Sequence, residues 1–186
     1  MAAIARDVGV DDKTVASYFQ ILEDTLLGFF LESFSTSVRK RQVQAPKFFL
    51  FDLGVQRSLE RTLRQAIVPG TFAFGRAFEH FVIAEMVRLN DALKLDCRFS
   101  HLRTKDGVEI DLIVERPGEP PALVEIKSAP RTTAHDARHL KPFLADIPGA
   151  RGLCLSLDPT ERLADGILYV PWRRGLETLG FWPRGR

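Results

Sequence analysis

Cysteine is scarce in this chain of 186 residues, which holds two, Cys97 and Cys154. Two thiols without metal-ligand spacing exclude a disulfide framework and a zinc finger, and they fit a reducing cytoplasm. Charge of one sign is also lacking. The 26 Lys and Arg against 24 Asp and Glu leave a formal +2, so nucleic-acid binding would have to rest on local patches. No run approaches the roughly 18 apolar residues of a membrane-spanning helix, and no basic leader precedes an apolar stretch at the N-terminus. A soluble protein is expected. Missing as well are a Gly-x-x-x-x-Gly-Lys-Ser/Thr phosphate loop, a dinucleotide fingerprint, a redox Cys pair and a Ser-His-Asp arrangement. There are no internal repeats.

What is present is hydrophobic patterning over 45% of the residues, enough for one good core or for a small and a medium one. Its sharpest feature is Gly107-Val108-Glu109-Ile110-Asp111-Leu112-Ile113-Val114-Glu115, a Pro/Gly turn, then Ala122-Leu123-Val124-Glu125-Ile126-Lys127-Ser128. Apolar and charged residues alternate, which predicts two strands. Side chains two apart on a strand share a face about 6.6 to 6.8 Å apart. Glu125 therefore points with Lys127, and Glu109 with Asp111. If the strands pair, Asp111, Glu125 and Lys127 can meet on one face, equipping it for a hard divalent cation and phosphodiester hydrolysis.

Upstream, Ile4 to Gly9 reads as the end of a helix. Asp11 or Asp12 caps a second helix with Val15, Tyr18, Leu22 and Leu26 at helical spacing. This is a helix-turn-helix pattern. Two β-rich stretches, Phe29 to Phe34 and Lys47 to Asp52, flank Arg39-Lys40-Arg41, and the whole reads as a winged helix lacking its first helix. A fragment of a longer protein is expected on that ground. A helix over 54–65 precedes a break at Val68-Pro69-Gly70-Thr71. A long helix from Phe74 to about Leu93 follows, with Phe78, Val82, Met86, Leu89 and Leu93 as its stripe and Glu79 beside it. Then come a strand over 96–103, the hairpin, a helix over 131–144 and strands over 152–157 and 167–170. The predicted architecture is a partial winged helix, residues 1–70, followed by an α/β domain, residues 71–186, with a central mixed sheet flanked by helices.

Glu79 on a helix, Asp111 on a strand and Glu125-Ile126-Lys127 on the next resemble the PD-(D/E)xK (restriction-endonuclease-like) nuclease superfamily. More closely, the chain resembles the C-terminal region of a prokaryotic family of AAA-type ATPases. The stretches that carry this include Pro46-Lys47-Phe48-Phe49-Leu50-Phe51-Asp52-Leu53-Gly54, Gly75-Arg76-Ala77-Phe78-Glu79 and Arg103-Thr104-Lys105-Asp106-Gly107. The resemblance implies an ATPase upstream. It also implies a site in which Asp111 and Glu125 hold Mg²⁺ or Mn²⁺, Lys127 orients or deprotonates the attacking water, and Glu79 assists. His101-Leu102 replaces the aromatic pair that members often carry before Arg-Thr.

The bland alternatives are concrete. Alternating charges also mark the wet face of a strand, and an exposed Glu-Lys pair is worth at most about 1 kcal/mol. Glu79 also suits the first turn of a helix through the macrodipole. For DNA, Arg39, Lys40 and Arg41 can grip backbone phosphates, with Lys13 at the start of the second helix, although Asp11 and Asp12 beside it repel them. A non-catalytic DNA- or protein-binding module serving the ATPase is the rival function. His101, His135 and His139 lack a zinc set and read as surface histidines.

Overall fold

The computed structural model describes residues 1–34 and 45–182. Arg39, Lys40 and Arg41 lie outside the described residues.

Helix α1 (Ala2–Val8) stops at Gly9, whose φ of 76° is the left-handed cap that glycine adopts without strain. Asp11 then caps α2 (Asp12–Asp24), accepting the Thr14 N–H at 2.9 Å. The inner face of α2 differs from the expected stripe. Val15 is buried, but Tyr18 is 62% and Leu26 82% exposed. Phe19 turns inward instead, its ring 4.7 Å from that of Phe48 and 5.9 Å from that of Phe30. The aromatic strand pair beneath decides which helical face is buried.

That pair is β1 (Gly28–Ser33) and β2 (Lys47–Leu50), antiparallel with Phe29 opposite Phe49. It does not stand apart as a wing. Strand β1 also runs parallel to β3 (Arg98–Arg103), with Glu32 opposite Ser100. Strands β4 (Glu109–Glu115), β5 (Ala122–Lys127), β6 (Arg151–Ser156), β7 (Arg162–Ala164) and β8 (Ile167–Pro171) complete one eight-stranded mixed sheet, ordered β2-β1-β3-β4-β5-β6-β8-β7. The sheet thus draws on residues from both sides of position 70.

Helix α3 (Leu53–Leu59) is shorter than expected, since the chain turns at Arg61 with a φ of 58°. Helix α4 (Phe72–Leu93) buries Phe78, Val82, Ile83 and Met86 on one face of the sheet, against Leu112, Val114, Val124, Ile126, Leu153 and Leu155. Each such side chain contributes about 1.5–3 kcal/mol by leaving water. The opposite face carries Ile113, Leu123, Cys154 and Tyr169 under Leu140 and Phe143. Those two come from a 3-10 turn (Arg138–Leu140) and α5 (Lys141–Asp146). The continuous helix expected over 131–144 does not form. Asp136 takes the Thr133 N–H and hydroxyl into a local turn, and Pro142 fits only the first turn of a helix. Helix α6 (Trp172–Thr178) covers the α4 face beyond β8, where Gly175 packs so closely that a Cβ would meet Leu155 Cδ2 at 2.1 Å. No helix among the described residues is long and apolar enough to cross a membrane.

Candidate functional site

The site begins with an irregularity in β4. Ser100 pairs with Ile113 and Leu102 with Ile110, so β4 takes three steps where β3 takes two. The extra residue falls at Asp111-Leu112 and resets the alternation. Ile110 and Ile113 consequently join the cluster under α5, while Leu112 and Val114 join the one under α4. Pairing of β4 with β5 runs through Val114–Ala122, Ile113–Leu123 and Leu112–Val124. Just beyond it the Asp111 carboxylate accepts the Ile126 N–H at 2.8 Å.

Glu125 and Lys127 follow strict alternation. They lie opposite Cys154 and Ser156 in the parallel pairing with β6, hence on the α5 face. Lys127 Nζ stands 2.5 Å from Glu125 Oε1, and His139 Nε2 stands 2.8 Å from Oε2. Glu125 is 5% exposed, so both oxygens are engaged in a nearly water-free setting. Burial pulls the Lys127 pKa down, but the Glu125 charge and hydrogen bond outweigh it and leave the amine more basic than usual. Cys154, behind them, is pushed up to about 12 by burial and the Glu125 charge, so it stays a thiol.

Glu79, on α4, belongs to the other layer. It pairs with Lys47 at 3.3 Å, and the same ammonium meets Glu109 at 2.5 Å. Burial opposes the charge on Lys47, yet Glu79, Glu109 and Asp111 together raise its pKa. Asp111 couples the two layers. Burial first, then the like charges of Glu125 and Glu79, drive its pKa well above the usual carboxylate value, with the Ile126 N–H and Lys127 pulling back.

The expected meeting of Asp111, Glu125 and Lys127 on one face therefore does not occur: Glu125 pairs with Lys127 on the α5 face, while Asp111 lines the cleft on the α4 side with Glu79. Three partners escaped the sequence reading. His139, expected on the surface, meets Glu125, because a 3-10 turn replaces the regular helix and brings it over β5. His101 is 2% exposed, with Nε2 3.1 Å from the Ala45 carbonyl. Lys47 lies 32 residues from Glu79, a separation only the folded sheet closes. Lys13 is exposed on the first turn of α2, far in sequence from these groups.

Among the described residues, no group of three or more His, Cys, Asp or Glu side chains is arranged to hold a metal ion. The donor pair Asp111 and Glu125 nevertheless suits a hard divalent ion in its chemistry. Burial, and then the like charge of Glu125, push the Asp111 carboxyl toward its neutral form, and a cation would offset both.

A cleft of about 1030 Å³ opens on the α4 side, between β2–α3 and the first half of α4, with Glu79, Glu109 and Asp111 in its lining.

Residues 74–174 match the family described as Domain of unknown function (DUF4143), and residues 1–65 match Domain of unknown function (DUF8612). Similar proteins include Uncharacterized protein Mb2031c of Mycobacterium bovis and Uncharacterized protein Rv2008c of Mycobacterium tuberculosis, each 28% identical over 172 residues. The alignment covers 91% of this chain but 37% of each relative, so the chain spans well under half the length of the curated proteins it matches. No solved structure matches it. Glu79, Asp111, Glu125 and Lys127 all lie within the 74–174 match, which takes in more than half of the residues, and the chain belongs to the DUF4143 family.

Proposed function

We propose that this chain is the C-terminal region of an AAA-type ATPase, a partial winged helix whose β1–β2 pair is built into the sheet of a PD-(D/E)xK nuclease-like domain that hydrolyses DNA phosphodiesters. The observation that supports the reading is the Glu125–Lys127 pair together with Asp111, whose carboxyl is pushed up by burial and then by the charges of Glu125 and Glu79. The mycobacterial relatives are longer than this chain, with room for a further domain such as an ATPase.

Asp111 and Glu125 would hold Mg²⁺ or Mn²⁺, which when bound polarises a scissile phosphate and acidifies a bound water. Lys127, kept as an ammonium by Glu125, serves as a fixed cation beside the charge growing on phosphorus rather than as a base. The Ile126 N–H fixes one oxygen of Asp111. Glu79, held by Lys47, assists from the α4 side as a hook for water.

The test is nicking of supercoiled DNA with Mg²⁺ or Mn²⁺. Activity should appear in the wild type and vanish in Asp111→Ala and Lys127→Ala variants that keep their circular-dichroism spectrum. Silence with several metals and DNA forms would defeat the proposal.

A second reading has its own support. Both oxygens of Glu125 are already satisfied by Lys127 and His139, the arrangement of a structural ion pair in a non-catalytic DNA- or protein-binding module. Salt-sensitive DNA binding unchanged by Asp111→Ala, with no cutting, would select it.

A further inference from the structure

The 1030 Å³ cleft joins two unlike ends. Its inner lining holds the half-buried carboxylates Glu79, Glu109 and Asp111 with Lys47 against them. Its mouth carries Phe72, 82% exposed on the first turn of α4, and the exposed Arg76, whose guanidinium carbon stands 6.0 Å from the centre of the Phe72 ring. A phenylalanine this open gains nothing from the core. Beside a guanidinium, it offers an apolar π-face and a phosphate-binding fork within one helical turn.

We propose that this cleft takes an unpaired nucleotide strand, with Phe72 stacking a base, Arg76 contacting a phosphate and the strand leading inward to Asp111. The proposal rests on the nucleolytic reading above and narrows its substrate. Stacking on one exposed ring requires a base free of its partner, and every base has the face that stacking needs. Inside the cleft Lys47 is already engaged by Glu79 and Glu109, so phosphate is gripped by Arg76 at the mouth, away from the carboxylates. A duplex offers its bases only edge-on in the grooves, so Phe72 has no face to meet in one.

Binding can be read separately from cutting, in EDTA, by fluorescence anisotropy of a labelled oligothymidylate of about 15 nucleotides and of a blunt duplex of equal length. The single strand should bind more tightly. Phe72→Ala should weaken it roughly 5- to 150-fold, the loss of one stacked base. Arg76→Gln should weaken it and lower the slope of log K against log salt by about 0.7, one phosphate contact on a single strand. Phe72 and Arg76 are exposed, so both variants should keep the wild-type melting temperature.

Duplex bound as tightly as single strand, or both variants binding like the wild type, would overturn the proposal. So would failure to bind any oligonucleotide together with a concentration-dependent dimer abolished by Phe72→Ala, which would assign the cleft to a second copy of the chain. The two readings separate cleanly. Single-strand binding lost in Phe72→Ala without any cutting keeps the cleft and removes the hydrolase. Cutting that persists with both variants indistinguishable from wild type removes the cleft and keeps the hydrolase.

Discussion

The side chain of Asp111 on β4 accepts the backbone N–H of Ile126 on β5 at 2.8 Å. It meets that N–H just past the last β4–β5 residue pair, where the bulge has interrupted regular pairing. The bond anchors a buried carboxylate that the charges of Glu125 and Glu79 repel.

Asp111→Asn should stabilise the protein at neutral pH. The Asp111 pKa is raised above its ordinary 3.8 by burial and by Glu125 and Glu79. The folded state therefore favours the protonated form. That preference is fully expressed below about pH 3.8 and becomes a penalty as pH climbs through the folded-state value. The amide keeps an acceptor for Ile126 without the charge. A rise of about 2–4 °C in melting temperature at pH 7, shrinking toward pH 4, is expected by calorimetry. A lower melting temperature at pH 7 would refute the like-charge account.

Glu125→Ala should be costly, since it leaves Lys127 and His139 facing a buried gap. Both can still reach solvent, with side-chain exposures of 36% and 27%, so the expected loss is about 1–3 kcal/mol rather than that of a fully buried pair. Urea denaturation measures it. A double-mutant cycle with His139→Ala should give a coupling energy of at least about 0.5 kcal/mol.

Lys47→Met should loosen the sheet edge selectively. It removes the cation shared by Glu79 and Glu109, whose side chains are 28% and 31% exposed. A destabilisation of about 1 kcal/mol is expected. Hydrogen exchange should quicken in β1 and β2 before it quickens in β5 and β6. Uniform acceleration across the sheet would argue against a local tether.

Acidification below neutrality should weaken the fold through histidine. Burial holds the His80 pKa below its ordinary 6.5, although its bond to the Leu50 carbonyl pulls the other way. A depressed pKa means that the stability it contributes is complete above about pH 6.5 and is lost as pH falls through the lower folded value. His101, also depressed by burial and by Lys47, adds to the effect. Since Asp111 pulls the other way, the histidine share is read by difference: between pH 7 and pH 5 the wild type should lose more melting temperature than His80→Gln. An equal drop in that variant would remove His80 as a source.

Much of this was legible in the residues themselves. Alternation in 107–128 marked two strands and put Glu125 with Lys127, because a period of two leaves no other choice for residues two apart. The stripe through Phe78, Val82 and Met86 marked the helix that covers them. Short pieces were not legible: β7 has three residues and α6 seven, too few for a period to stand out. The helix expected over 131–144 failed because Thr133 and Asp136 hydrogen-bond locally and Pro142 restarts the chain.

Local pattern, by itself, determined the longer strands and helices and which carboxylates share a strand, since these depend on neighbours a few residues apart. Tertiary structure alone decided that β1 and β2 extend the central sheet, that a bulge aims Asp111 away from strict alternation, and that Lys47 and His139 close on Glu79 and Glu125. Those outcomes depend on pairing between residues 14 to 68 positions apart. Sequence separation carries no trace of such pairing, because the free energy that selects it comes from burying one continuous core.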